Sequence, residues 1–106
     1  MTNQNTKHIL TIGLNDKDTY TQKFDTITAY KMIENILKPR ANGYTMYETH
    51  GGYTHENGTY ITETSIRVEL QFISQAQVFI IANEIKTQLN QESIVYETQT
   101  TNSQLI

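Results

Sequence analysis

The stretch Glu48–Leu70, ETHGGYTHENGTYITETSIRVEL, decides the fold. Asn57-Gly58 stands between two alternating runs, and both residues tolerate the positive φ of a type I′ turn. A two-residue loop there predicts a β-hairpin in which Glu56 opposes Thr59. On the second strand Tyr60, Thr62, Thr64, Ile66, Val68, Leu70 and Phe72 then share the core face. Their partners are His55, Tyr53, Gly51, Thr49, Tyr47 and Thr45. The stretch also holds two of the three histidines and three of the five glycines. It is therefore either a site for chemistry or a hairpin whose polar face carries those residues.

Outward from the hairpin the patterns stay regular. Lys7–Asn15 alternates, with His8, Leu10, Ile12 and Leu14 on one side, as a strand with one apolar face does. Thr26–Lys38 reads as a helix, capped by Asp25 or Thr26 and stopped by Pro39. Its apolar stripe is Ile27, Tyr30, Ile33 and Leu37, widened by Ala29 and Ile36. Ser74, with Gln77 three positions on, opens a second helix that buries Val78, Ile81, Ile85 and Leu89. Ser93–Glu97 is a short last strand, and Thr98–Ile106 a polar tail. Strand, helix, strand, strand, helix, strand predicts a ferredoxin-like α+β sandwich: a four-stranded antiparallel sheet with two helices on one face. The 106 residues make a single domain, its core about residues 7–97 between loose polar termini.

Composition narrows the function classes. The net charge is −3 and the eight Lys and Arg are scattered, so no basic patch is laid out for nucleic acid. Without Cys there is no disulfide and no thiolate metal site. No signal peptide and no apolar run of about 18 residues is present, so the expected setting is the cytoplasm, without membrane contact. For a phage-encoded chain that is the host cytoplasm. The abundance of Thr, Asn, Gln, Ile and Tyr suits an A/T-rich genome such as that of a phage or low-GC bacterium.

With both helices on one side, the other sheet face is open. The same two-residue loop assigns it Ile61, Glu63, Ser65, Arg67, Glu69 and Gln71, facing Thr54, Gly52, His50, Glu48 and Met46. Glu48 then faces Arg67, His50 faces Ser65, and Gly52 faces Glu63. A bulge at Gly51-Gly52 would change that assignment. The polar row admits four readings. It is a solvated face with weak ion pairs, a self-association surface containing Ile9, Ile61 and Met46, a small-ligand site, or a catalytic one. As a ligand site, Arg67 pairs an anionic group, Glu48 and Glu63 accept from hydroxyl or amino groups, and Tyr44, Tyr47 or Tyr53 stacks at the rim. His50 and His55, five apart, point to opposite faces of a regular strand and cannot share one metal ion. Ser65 beside His50 lacks an orienting carboxylate, so no nucleophilic triad is laid out.

The motifs Ile12-Gly13-Leu14-Asn15, Gly43-Tyr44-Thr45, Gly52-Tyr53, Gly58, Glu63-Thr64-Ser65 and Asn90-Gln91-Glu92-Ser93-Ile94 occur in that order. The pattern resembles an uncharacterised family of short bacterial and phage proteins with G-L-N, G-x-T, G-x-W/Y, E-x-S and Q-E-S-V. The likeness covers about residues 9 to 96 and implies a ferredoxin-like α+β fold without assigning an activity. The chain departs from the pattern in three ways. Tyr53 stands where Trp is frequent, Thr64 rather than Arg precedes Ser65, and the family's export segment is missing, so a periplasmic or lipoprotein setting does not carry over.

Together these features lead to a non-enzymatic, homo-oligomeric binding module, as a sheet-face dimer or larger. It needs no cofactor and sequesters a small nucleotide-like signal in an anti-defence role. The expected ligand residues are Glu48, His50, Tyr53, Glu63, Ser65 and Arg67. The alternatives are an accessory protein that blocks a host protein, or a small ferredoxin-like enzyme using His50 or Glu63.

Overall fold

The computed structural model describes residues 6–106. The N-terminal residues expected to be loose, Met1–Asn5, lie outside them. The element order is β1 (Thr6–Gly13), α1 (Thr26–Leu37), β2 (Thr45–Thr54), β3 (Tyr60–Leu70), α2 (Gln75–Gln88) and β4 (Val95–Thr100). The strands form one antiparallel sheet in the order β2-β3-β1-β4. This is the ferredoxin-like α+β arrangement that the alternating elements predict.

The central pair β1·β3 builds the floor of the core. Leu10 lies opposite Val68 and Ile12 opposite Ile66, and all four are fully buried. The helices close over them with Ala29, Ile33, Ile36 and Leu37 from α1 and Val78, Ile81 and Ile85 from α2. Each fully buried Leu, Ile or Val contributes about 1.5–3 kcal/mol relative to exposure, so this cluster is the main source of stability. The α1 stripe buries Ala29, Ile33, Ile36 and Leu37 as expected, but Ile27, expected at its start, is 69 % exposed. Ile27 sits in the first turn and lines an open cavity shared with Glu48 of β2. Both caps form as expected, Asp25 accepting from the Thr28 N–H (2.7 Å) and Ser74 from the Gln77 N–H (3.2 Å).

Strand ends differ from the sequence reading. β4 runs on through Thr98–Thr100, because these residues pair with His8, Lys7 and Thr6 of β1. The following residues are tethered as well: the Gln71 amide donates to Thr101 Oγ1 (3.2 Å) and Ser103 Oγ (2.7 Å).

The hairpin carries the correction with the largest consequence. His55 N–H donates to Thr59 O (2.7 Å) and Gly58 N–H to His55 O (2.8 Å), so the loop is Glu56-Asn57-Gly58, three residues rather than two. Only Gly58 takes a positive φ there (86°), while the Asn57 side chain accepts from the Thr59 N–H (2.9 Å). This is a turn followed by a left-handed glycine, the next most common hairpin closure after the two-residue types. One extra loop residue turns every β2 side chain to the opposite face. β2 and β3 pair residue for residue from Thr45↔Glu69 to Thr54↔Tyr60, without a bulge at Gly51-Gly52.

β3 outreaches its central neighbour. β1 pairs with it only as far as Gly13↔Ser65, continued by Leu14 N–H to Thr64 O (3.0 Å) and the Asn15 amide to Thr62 O (3.3 Å). Beyond that point the hairpin is a two-stranded arm. The Tyr60 ring lies directly over Gly52, where any side chain would collide with it.

Candidate functional site

The corrected pairing redistributes the expected ligand residues. Glu48 and His50 leave the open face and stand on the helix side of β2. There His50 Nε2 lies 2.9 Å from Glu48 Oε2, and both side chains are largely exposed. Glu48 lines a shallow cavity of about 230 Å³ beside Tyr30, Lys31 and Glu34 of α1. The proposed facing pairs Glu48–Arg67, His50–Ser65 and Gly52–Glu63 do not form. Arg67 faces Tyr47, Ser65 faces Thr49 and Glu63 faces Gly51. Met46, expected on the open face, packs against the core instead.

Three of the expected residues do come together. Tyr53, turned from its expected core-face position by the longer loop, joins Glu63 and Ser65 in lining one cleft of about 270 Å³ on the open face. Its floor is completed by Thr11 and Gly13 of β1 and Val95 of β4. One wall is the turn after β1, with Asn15, Asp16, Lys17 and Tyr20. The other is the connection from α2 to β4, with Gln91, Glu92 and Ser93. Arg67 shares the open face but lies outside the cleft, with its Nη2 3.5 Å from Glu97 Oε1.

Glu63 is fixed from both sides. Its Oε2 accepts from the Asn15 N–H (3.0 Å), and its carboxyl group lies over Gly13, close enough that a Cβ there would come within 2.6 Å of it. Gly13 is thus glycine because the carboxylate needs that space. The turn wall is organised by Asp16, only 3 % exposed. It accepts from Asn90 Nδ2 (2.7 Å), from the Asp18 N–H (2.9 Å) and from the Thr19 N–H (3.2 Å). The Asn90 amide, the two backbone donors and Lys23 hold its carboxyl below the usual carboxylate range against the opposing effect of burial. Gln91, also buried, donates to the Asn15 carbonyl (2.8 Å) and ties this turn to the opposite wall. At the outer end Tyr20 meets His55 edge to face, with ring centroids 5.8 Å apart.

The cleft offers carboxylates and hydroxyls for hydrogen bonding, a lysine at the rim, and two tyrosines for stacking. Its volume is just below the ~300 Å³ at which drug-sized pockets begin, which suits a nucleoside. Among the described residues no group of three or more His, Asp or Glu gathers as a metal site, and no helix is long and apolar enough to cross a membrane. Tyr53, Glu63, Ser65 and Gln91-Glu92-Ser93 all belong to the ordered motifs of the sequence, and the first three are expected ligand residues. Asp16 and Tyr20 were missed, because a polar turn carries no periodic signal.

No protein-family model matches the sequence, and no curated protein matches it. Solved structures do match. A phage SAM lyase in complex with S-methyl-5′-thioadenosine has a TM-score of 0.69 at 21 % identity, over 92 % of this chain and 81 % of that one. The periplasmic divalent cation tolerance protein CutA of Archaeoglobus fulgidus gives 0.60 at 10 % identity, over 93 % and 87 %. A DUF3240 family protein of Shewanella baltica gives 0.52 at 11 % identity, over 96 % and 98 %. The chain shares its fold with these proteins.

Proposed function

We propose that the cleft between Tyr53, Glu63 and the Asp16 turn binds a small adenosine-type molecule, with S-adenosylmethionine as the leading candidate. The observation that carries this reading is the convergence of Tyr53, Glu63 and Ser65 with two polar walls around one nucleoside-sized cleft. A tyrosine ring stacks on a base, carboxylates accept from ribose hydroxyls, and the acidic lining of Glu63, Glu92 and Asp16 favours a cationic sulfonium. The fold likeness to a phage SAM lyase supports the same ligand class.

Two fates for the ligand follow. In the first the protein is a lyase. The S–Cγ bond of the sulfonium breaks, its electron pair stays on sulfur as the neutral thioether, and the carboxylate of the departing fragment closes on Cγ. That step balances without a nucleophile from the protein. In the second the protein is a phage-encoded module that sequesters the nucleotide-like molecule without turnover, in an anti-defence role. This reading draws on Glu63, whose carboxylate is already engaged by the Asn15 N–H. Either fate is compatible with a homo-oligomer built on the open sheet face, where Val95 is 58 % exposed and Ile61 adds apolar surface.

The test is to incubate the purified protein with S-adenosylmethionine, following S-methyl-5′-thioadenosine by chromatography and binding by calorimetry. Release of the thioether supports the lyase. Stoichiometric binding without release supports sequestration. Neither binding nor release sinks both, and pull-down from host lysate then examines the protein-blocking alternative.

A further inference from the structure

We propose that Asn90 is a positioning residue for the cleft: its side-chain amide clamps the Asp16–Tyr20 turn in place as a wall against which the ligand sits. The inference rests on the nucleoside reading above. Asn90 does not line the cleft, yet it holds the residues that do. Its Nδ2 carries two hydrogens and meets two carboxylates, Asp16 Oδ1 at 2.7 Å and Asp18 Oδ2 at 2.9 Å. Its backbone carbonyl accepts from the Lys17 N–H (3.1 Å) of the same turn.

The geometry is local and costly to replace. Asn90 adopts a left-handed φ of 49°, which asparagine tolerates better than most side chains. Without its amide the carboxylates of Asp16 and Asp18 would face each other, with Lys23 Nζ 3.7 Å from Asp16 as the remaining cation. The Asp16 turn is held internally by its own side chain, so what Asn90 adds is the turn's placement relative to the α2–β4 connection. Fixing a wall before the ligand arrives removes an ordering cost from binding.

Asn90→Gly is the decisive variant, because it relaxes the positive φ while removing the amide. Asn90→Ala removes the same amide but leaves the backbone strained. Both are titrated with S-methyl-5′-thioadenosine by calorimetry, and amide hydrogen exchange is followed in the ligand-free proteins. The expected result for Asn90→Gly is a melting temperature near that of the wild type and an affinity weaker by about tenfold or more. Exchange should quicken at Lys17, whose N–H bonds the Asn90 carbonyl across the two segments, while Leu10 in the sheet is unchanged. Wild-type affinity in Asn90→Gly, with loss only in Asn90→Ala, would assign the effect to backbone conformation and overturn the proposal. Unchanged exchange at Lys17 would overturn it too. Should the wild type take up no nucleoside, the functional reading fails on its own, and the exchange rates still decide whether Asn90 sets the turn.

Discussion

The carboxyl group of Glu63 occupies the volume that any side chain at residue 13 would need. The two residues sit on adjacent strands, and the Asn15 N–H draws the carboxylate into that space (3.0 Å). Gly13→Ala should therefore evict Glu63 from the cleft. Because the tip of a glutamate can swing away, the stability cost should stay near or below about 1 kcal/mol. Binding of an adenosine-type ligand should weaken by about tenfold or more. Calorimetric titration beside a denaturant melt separates the two effects, and Glu63→Gln supplies the control that keeps the shape and removes the charge.

The hairpin loop makes a second contrast. Only Gly58 needs a left-handed backbone, so Gly58→Ala should cost about 1–2 kcal/mol. Asn57→Ala, which loses one exposed bond to the Thr59 N–H, should cost about 0.5–1.5 kcal/mol at most. In a two-residue type I′ loop both positions would need positive φ, and the two variants would be comparably strained. Paired denaturant melts decide between them.

Protonation should weaken the fold in two steps. His8 is 3 % exposed, with Nδ1 2.7 Å from the Tyr96 hydroxyl, and burial holds its pKa below the ordinary histidine value. A depressed histidine pKa means the unfolded chain takes up the proton first. The His8 contribution is thus complete above pH ~6.5 and is lost as pH falls toward the folded value. Asp16 and Glu69 are also depressed, Asp16 chiefly by Asn90 and Glu69 chiefly by the Tyr47 hydroxyl. Their contributions persist above pH ~4 and fade as pH drops through the folded values. Thermal melts from pH 8 to pH 3 should show both declines, and His8→Gln should lack the first.

Core truncation should separate buried strand positions from an exposed helix position. Leu10→Ala or Ile66→Ala should cost about 2–5 kcal/mol. Ile27→Ala, on the exposed first turn of α1, should stay within about 0.5 kcal/mol. A cost for Ile27→Ala close to that of Ile66→Ala would mean that another surface covers it.

Much of this architecture could be read from the chain. The alternation in β1, the apolar stripe of α2, the caps at Asp25 and Ser74 and the hairpin are local signals, and each forms. Ile27 shows where such signals stop: the helical spacing is right, but at the first turn the residue borders an open cavity beside Glu48 rather than the packed core. The hairpin shows it more sharply. Asn57-Gly58 marks a reversal yet leaves the loop length open, and one residue decides whether Glu48 and His50 or Tyr47 and Thr49 look toward Arg67 and Ser65. Positions on β3 were robust because the buried run Ile66-Val68-Leu70 pins its phase. Positions on β2, an edge strand with few apolar residues, had no such anchor. The Asp16 turn and its tie to Asn90 connect residues more than seventy positions apart, a relation that no local pattern reveals.

The overhang of β3 past Gly13 bears on how the cleft works. Tyr53 belongs to the two-stranded arm, while Asp16 and Gln91 belong to parts braced against the core. Two-stranded ribbons are marginal in water by themselves, so one jaw of the cleft is supple and the other firm. A guest gripped between them would quiet the arm as it settles. Its uptake should then carry an unfavourable entropy that shrinks when the arm is stiffened from outside, for instance by a neighbouring subunit laid along the free edge of β2.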